Sequence, residues 1–148
     1  MSSGGKPPAG TGRATPVKNA GDAMRKTIFM MLLAVVSSSA AAEWVEVSKS
    51  EAVTVYADPA TIRKAGDMVK MWTLSDYKTP DDVQNMSRVY QHEYDCKEGQ
   101  IRLLYMALHS GNMGGGATDV VLSYPTDWTP VPPGSTNDVL LKFACAQR

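Results

Sequence analysis

Short runs of alternating apolar and polar residues dominate the sequence after residue 43. Val, Tyr and Trp are frequent in these runs, and Gly, Pro, Asp and Asn separate them. Successive side chains of a strand point to opposite faces, so this alternation predicts β-strands with at least one buried face. Six strands are predicted, and they begin at Trp44, Ala52, Met68, Ser87, Gln100 and Thr118.

The segments between the predicted strands are rich in turn-forming residues. Examples are "DPATIRKAGD" at residues 58–67 and "KTPDD" at residues 78–82, both of which we interpret as turns. Strands joined in this way are typical of an antiparallel meander. The predicted fold class is α+β and mainly β, with one antiparallel sheet of about six strands and one C-terminal helix.

The C-terminal segment has a helical period instead of an alternating one. Residues 132–134, Pro-Pro-Gly, end the preceding segment, and Ser135 is a suitable N-cap. Asp138 follows three residues later, where its charge suits the positive end of a helix. The apolar residues that recur at helical spacing are Val139, Leu140, Phe143 and Ala144.

Two of the predicted strands are apolar on both faces. In the third, Met68, Trp72 and Leu74 share one face, and Val69 and Met71 share the other. Strict alternation along the fifth strand gives two groups, Ile101, Leu103 and Tyr105 against Leu104, Met106 and Leu108.

One helix of three turns can cover only one face of such a sheet. The other face is therefore expected to be buried by curvature of the sheet into a half-barrel or by a second subunit, which makes a homodimer the simplest assembly. Large aromatic side chains concentrate binding energy at interfaces. The candidate interface residues are Trp72, Tyr90, Tyr94 and Tyr105, and parity alone does not say which of them the helix covers.

The chain carries the pattern of an export signal. Met24 is followed by two basic residues, nine apolar residues at 28–36 and small residues up to Ala42. This pattern predicts a signal peptide at residues 24–42 and a mature domain at 43–148. Nine apolar residues are far fewer than the roughly 20 that span a bilayer, so no stable membrane span is expected after cleavage.

Residues 1–23 form a third segment, without an aromatic residue or a hydrophobic period. Such a segment cannot bury a core, so we interpret it as a disordered upstream extension, with Met24 as an alternative start. Five of the 15 basic residues but only one of the 15 acidic residues precede Glu43, so the mature part has a net charge of −4. This balance argues against a nucleic-acid partner, which requires a basic surface.

The two cysteines, Cys96 and Cys145, both lie in the predicted mature domain. An even number of cysteines in an exported protein is most simply a disulfide. The bond would hold the end of the helix to the end of the fourth strand and close a loop of about 50 residues, worth roughly 4 kcal/mol. A thiol nucleophile or a two-cysteine metal site is the alternative interpretation.

No residue pattern indicates catalysis, a metal or another cofactor. The glycine-rich segment 110–116 has no lysine after it and leads into a β-branched run, which indicates a strand connection and not a phosphate site. His92 is in phase with Tyr90 and Tyr94 and is expected to pack with them, while His109 ends a strand beside the glycines. We therefore expect a protein that is not an enzyme.

Four segments together resemble the surface-adhesin protein E family: residues 56–80, 94–104, 110–115 and 128–145. The resemblance implies an antiparallel sheet of about six strands and a C-terminal helix tethered by a disulfide, for which Cys96 and Cys145 are the matching residues. It also implies binding of host matrix and serum proteins at the cell surface. The sequence differs from the family in having no lipid-anchor cysteine after the apolar segment.

Three functions remain open at this point. The first is an adhesin-like module that binds extracellular proteins through an exposed sheet face or edge strand. The second is a soluble periplasmic protein with a structural or stress-related role. The third is a carrier of a small apolar ligand on the concave side of a curled sheet. All three place the protein outside the cytoplasm, in the periplasm or at the cell surface.

Overall fold

A computed structural model describes residues 4, 5, 10 and 42–147. The predicted signal peptide and the upstream extension lie outside the described residues, apart from isolated positions, and remain predictions. In the described part, no helix has the length and the apolar character needed to cross a membrane.

Residues 42–147 contain one antiparallel sheet and one α-helix. The order of the strands in the sheet follows the chain from the first to the sixth, and the seventh pairs with the fifth. This confirms the predicted meander. The strands are β1 (Val45–Lys49), β2 (Val53–Ala65), β3 (Met68–Tyr77), β4 (Ser87–Asp95), β5 (Gln100–His109), β6 (Thr118–Leu122) and β7 (Thr129–Pro130). The helix is α1 (Thr136–Ala146), and Asn112–Gly114 forms a 3-10 turn between β5 and β6.

β2 is longer than the sequence predicts, because residues 58–65 belong to the strand and are not a turn. The register with β3 shifts between Asp58 and Arg63. Within this bulge the Thr61 hydroxyl accepts a hydrogen bond from the Trp72 amide at 3.0 Å. A side chain thus replaces a backbone acceptor of the ladder, so pairing continues past Asp58 and Pro59, which locally favour a turn.

The helix begins as predicted. The Ser135 Oγ accepts from the Asp138 amide at 3.1 Å, and the Asp138 carboxylate accepts from the Gly134 amide at 3.0 Å. Leu140 and Ala144 pack into a core formed by the sheet residues Val55, Ala57, Val69, Met71, Tyr94 and Ile101. We call the sheet side that carries this core the helix face.

The predicted disulfide between Cys96 and Cys145 is confirmed, with the two Cα atoms 5.8 Å apart. Cys145 lies in the last turn of α1, and Cys96 directly follows β4. The bond therefore links the last turn of α1 to the end of β4, beside the completely buried Tyr94 and Ala144.

We call the opposite side of the sheet the aromatic face. Trp72 lies there, since its neighbour Met71 points into the core beneath α1. Tyr105 lies there too, because a register shift between β4 and β5 makes Leu104 an extra residue. The predicted grouping of Tyr105 with Ile101 and Leu103 is therefore wrong, since one bulge residue reverses the parity of the side chains that follow it.

Part of the aromatic face is covered by the chain itself. Leu74 lies on this face and is completely buried. Gly114, in the 3-10 turn, passes so close that an added Cβ would lie 3.5 Å from Val89 Cγ2 and 3.7 Å from Leu74 Cδ1. The loop between β5 and β6 thus provides cover that we expected from sheet curvature or a second subunit.

Candidate functional site

The four aromatic residues predicted for an interface divide between the two faces. Trp72 and Tyr105 meet on the aromatic face, with ring centroids 5.2 Å apart in an edge-to-face arrangement, and both stay partly exposed. Tyr90 and Tyr94 lie on the helix face, on either side of His92. Tyr94 is completely buried, so it is the candidate that the helix covers.

The aromatic pair is bordered on one side by a cluster of charges. The buried Glu93 carboxylate accepts a hydrogen bond from Arg102 Nε at 2.8 Å and lies 3.9 Å from Lys70 Nζ. The Arg102 guanidinium also lies over the Trp128 ring, 4.6 Å from its centroid. These contacts fix the side chains at this end of the aromatic face. The charge of Glu93 is compensated by Arg102 and Lys70.

The glycine-rich loop borders the aromatic pair on the other side. Ser87 Oγ donates to the Gly111 carbonyl at 2.6 Å and accepts from the Gly114 amide at 2.9 Å. Asp76 Oδ1 accepts from the Met113 amide at 2.7 Å and from Asn112 Nδ2 at 3.0 Å. Loop amides that would have to face a phosphate are thus bonded to the protein itself, and the Asp76 carboxylate would repel an anion.

The outer edge of β6 is the most exposed apolar surface of the sheet, and sequence analysis did not single it out. Val120 is 49% exposed, Val121 is 43% exposed, and Tyr124, just after the strand, is 68% exposed. Val121 is the extra residue in a register shift against β5, so two adjacent valines protrude at this edge. The sequence signal for this edge is a pair of β-branched residues, Val120 and Val121, in the last long predicted strand, with no lysine beside them.

The opposite edge of the sheet, β1, is protected. It carries the charged residues Glu46 and Lys49, and its register against β2 is also shifted. Val47, on β1, packs against the core under α1. Charges, a bulge and a covering element are the usual means by which edge strands avoid pairing with other chains. β6 has the bulge and a single charged residue, Asp119.

A cleft of about 230 Å³ opens on the helix face, at the first turn of α1. Val55, Thr73, Ser75, Tyr90 and His92 of the sheet line it, together with Thr136, Asn137 and Leu140 of the helix. The His92 ring stacks on Tyr90, with centroids 5.4 Å apart, and its Nδ1 lies 3.4 Å from Thr73 Oγ1. Burial lowers the pKa of His92 to about 4, so the imidazole is neutral at physiological pH.

Asp81 and His109 have structural partners. Asp81 accepts hydrogen bonds from the Asn85 amide at 2.8 Å and from Arg88 at 2.8 and 3.0 Å, which lowers its pKa and holds the loop between β3 and β4. His109, the second histidine, is buried, with Nδ1 3.2 Å from Thr118 Oγ1. Among residues 42–147, no three His, Cys, Asp or Glu side chains come together in a way that could hold a metal ion.

A family model described as surface-adhesin protein E matches residues 44–146. The chain belongs to this family, a family of surface adhesins, and the resemblance found in the sequence is confirmed. No curated protein sequence matches the chain.

Solved structures of Haemophilus influenzae protein E have a similar fold. Crystal form II is 13% identical with a TM-score of 0.55, over 73% of this chain and 91% of that one. The protein from non-typeable Haemophilus influenzae is 12% identical with a TM-score of 0.52, over 74% of this chain and 79% of that one. At this identity the likeness establishes the fold, and functional residues have to be argued from the present chain.

Proposed function

We propose that this protein is an exported, non-enzymatic binding module of the adhesin type, whose partners are extracellular matrix or serum proteins. Membership of the surface-adhesin family supports this class of function. The observation that carries the proposal is the exposed apolar edge of β6, formed by Val120, Val121 and the following Tyr124. Contiguous exposed apolar side chains are typical of protein interaction sites.

Strand β6 offers two kinds of contact to a partner. It is the last strand of the sheet order, so one side of its backbone has no neighbouring strand among the described residues. An extended segment of a partner can pair with such a backbone, and side chains at the edge then select the segment. Val120 and Val121 supply apolar contacts, and Asp119, the one charged residue of β6, lies directly before them.

We propose further that the protein self-associates as a symmetric dimer through the aromatic face. Trp72 and Tyr105 are the two predicted interface residues that lie together and partly exposed on this face. The measurement is light scattering of the mature protein over a series of concentrations. A dimer that forms as the concentration rises supports the proposal, and a strict monomer at the highest concentration contradicts it without affecting partner binding at β6.

The cleft on the helix face does not favour a function as a carrier of a small apolar ligand. Its volume of about 230 Å³ is smaller than the roughly 300–1,000 Å³ of typical small-molecule sites. Thr73, Ser75, His92 and Asn137 also make much of its lining polar. The location of the protein in the cell distinguishes a periplasmic role from the role of an adhesin.

The β6 proposal is tested by substituting one exposed valine at each edge of the sheet. Val121→Lys places a charge in the middle of the β6 edge, and Val45→Lys places the same charge on β1, where the exposure of the valine is similar at 39%. Both variants are expected to fold as the wild type does. Binding to a panel of immobilised, purified matrix and serum proteins is then compared.

We expect Val121→Lys to lose most binding and Val45→Lys to retain it. Because the contact is apolar, binding should also change little between low and moderate salt. Equal binding by both variants would contradict the role of β6, and absence of binding to every protein in the panel would contradict the adhesin function itself.

A further inference from the structure

The cleft on the helix face is separate from both proposed interaction surfaces. It lies where the first turn of α1 meets β3 and β4, whereas the aromatic face is on the opposite side of the sheet and β6 is at its far edge. Neither protein binding at β6 nor self-association through Trp72 and Tyr105 uses the residues that line it.

Several polar groups in the cleft have no protein partner. Among the described residues, no hydrogen bond is formed by Ser75 Oγ, Thr136 Oγ1, the Asn137 side chain or His92 Nε2, while Nδ1 of His92 makes a long contact to Thr73. The four residues belong to two strands and the helix, and all of them line the cleft, with Thr136 and Asn137 exposed to solvent. A recess that combines polar groups free to bond with some apolar wall can hold a small polar ligand.

The lining selects against charged ligands. No Asp, Glu, Lys or Arg lines the cleft. Its ionisable groups are the phenol of Tyr90 and the imidazole of His92, and burial lowers the pKa of His92 and so keeps the imidazole neutral. Asp138 lies in the first turn of α1, where it caps the Gly134 amide and pairs with Lys142. Its negative charge opposes an anion at this helix end, so the positive end of the helix dipole does not by itself create an anion site.

The groups in the cleft match a neutral ligand that both donates and accepts hydrogen bonds. Hydroxyl groups such as those of Ser75 and Thr136 do both, and a neutral imidazole offers one donor and one acceptor. Val55, Leu140 and the ring of Tyr90 supply apolar walls. Because a volume of about 230 Å³ is below that of drug-sized sites, the ligand is no larger than a single ring or side chain.

We propose that this cleft binds one residue of a neutral saccharide. A sugar ring combines several hydroxyl groups, which both donate and accept, with an apolar face that packs against an aromatic ring such as Tyr90. The affinity of such a small site is expected to be in the millimolar range.

The proposal is tested by titrating the isotope-labelled mature protein with methyl glycosides of glucose, galactose and N-acetylglucosamine, followed by NMR. At least one glycoside should give saturable shifts of the amides of Thr73, Ser75 and Thr136. Acetate, ammonium and acetamide serve as small probes of negative charge, positive charge and an amide group. Saturable binding of none of the glycosides, or tighter binding of any of the three small probes, would overturn the proposal.

Two pairs of variants assign the binding to the cleft. Asn137→Trp fills the cleft from an exposed position of α1, and Val139→Trp adds the same ring at an exposed position that does not line it. Ser75→Ala removes one hydroxyl from the cleft, and Ser48→Ala removes one from β1. Asn137→Trp should abolish the shifts, and Ser75→Ala should weaken binding about two- to tenfold, the effect of one neutral hydrogen bond. Unchanged binding by Asn137→Trp would show that the sugar binds elsewhere.

Discussion

Removal of the disulfide tests how the helix is held on the sheet. In the double variant Cys96→Ala and Cys145→Ala, the covalent link between β4 and the last turn of α1 is lost. The residues around the bond are among the most buried of the domain, with Tyr94 and Ala144 fully inaccessible and Leu140 nearly so. Without the bond, α1 is held only by this packing and by its contacts with β1–β4.

The magnitude follows from the length of the closed loop. The two cysteines are 49 positions apart, and the chain-entropy relation assigns about 4 kcal/mol to a loop of this length at 25 °C. Domains of this size have total stabilities of about 5–15 kcal/mol, so the bond accounts for a large part of the free energy of unfolding. A loss of about 2–5 kcal/mol is expected, and a Tm at least about 10 °C lower.

The assay is urea unfolding followed by tryptophan fluorescence and far-UV circular dichroism. Wild-type protein treated with a reductant is the control, since it should reach the stability of the double variant, which itself should not respond to reductant. A loss of unfolding free energy below about 1 kcal/mol in the double variant would refute the reasoning. So would a double variant that reductant destabilises further.

Three further predictions concern stability. The pKa of His92 is lowered from 6.5 to about 4 by burial, so the neutral folded form is favoured above pH 6.5 and its advantage is lost as the pH falls from 6.5 towards 4. The free energy of unfolding should decrease by about 2 kcal/mol from pH 7 to pH 5. A wild type whose stability does not change with pH, or a His92→Phe variant with the same pH dependence as the wild type, would contradict this. Leu140→Ala should cost about 2–5 kcal/mol by urea unfolding, whereas the exposed neighbour Val139→Ala should be nearly neutral. Ser87→Ala should lower the free energy of unfolding by about 1–3 kcal/mol and speed hydrogen exchange of the Gly114 amide, because this amide and the Gly111 carbonyl lose their partner. The control Ser48→Ala should have neither effect.

The sequence contained enough information to predict the meander, the helix and the disulfide. Alternation in β3 and β4 and the Ser135 cap are local signals, and the structure preserves them. The disulfide could be predicted from the expectation of export alone, because the sequence has only two cysteines. These features are predictable because each depends on residues that are close in the chain or on a single possible partner.

The irregular features were not predictable, because each depends on a distant partner. β2 continues beyond Asp58 with the Thr61 hydroxyl bonded to the Trp72 amide across the sheet and with residues 63–65 paired to β3. Tyr105 changes face because one register shift occurs against β4, and nothing in the apolar pattern of β5 marks its position. The cleft likewise combines residues of three strands and a helix, so no motif in the chain could reveal it.

Display at the cell surface is the condition on which the adhesin account depends most directly. The measurement is protease treatment of intact cells that express the full chain natively, followed by immunodetection of the domain in whole-cell, periplasmic and membrane fractions. The account predicts that the domain is accessible on intact cells, seen as loss of signal or as binding of antibody before permeabilisation. A domain that stays fully protected until the outer membrane is opened, and is then released with the periplasmic fraction, would contradict it.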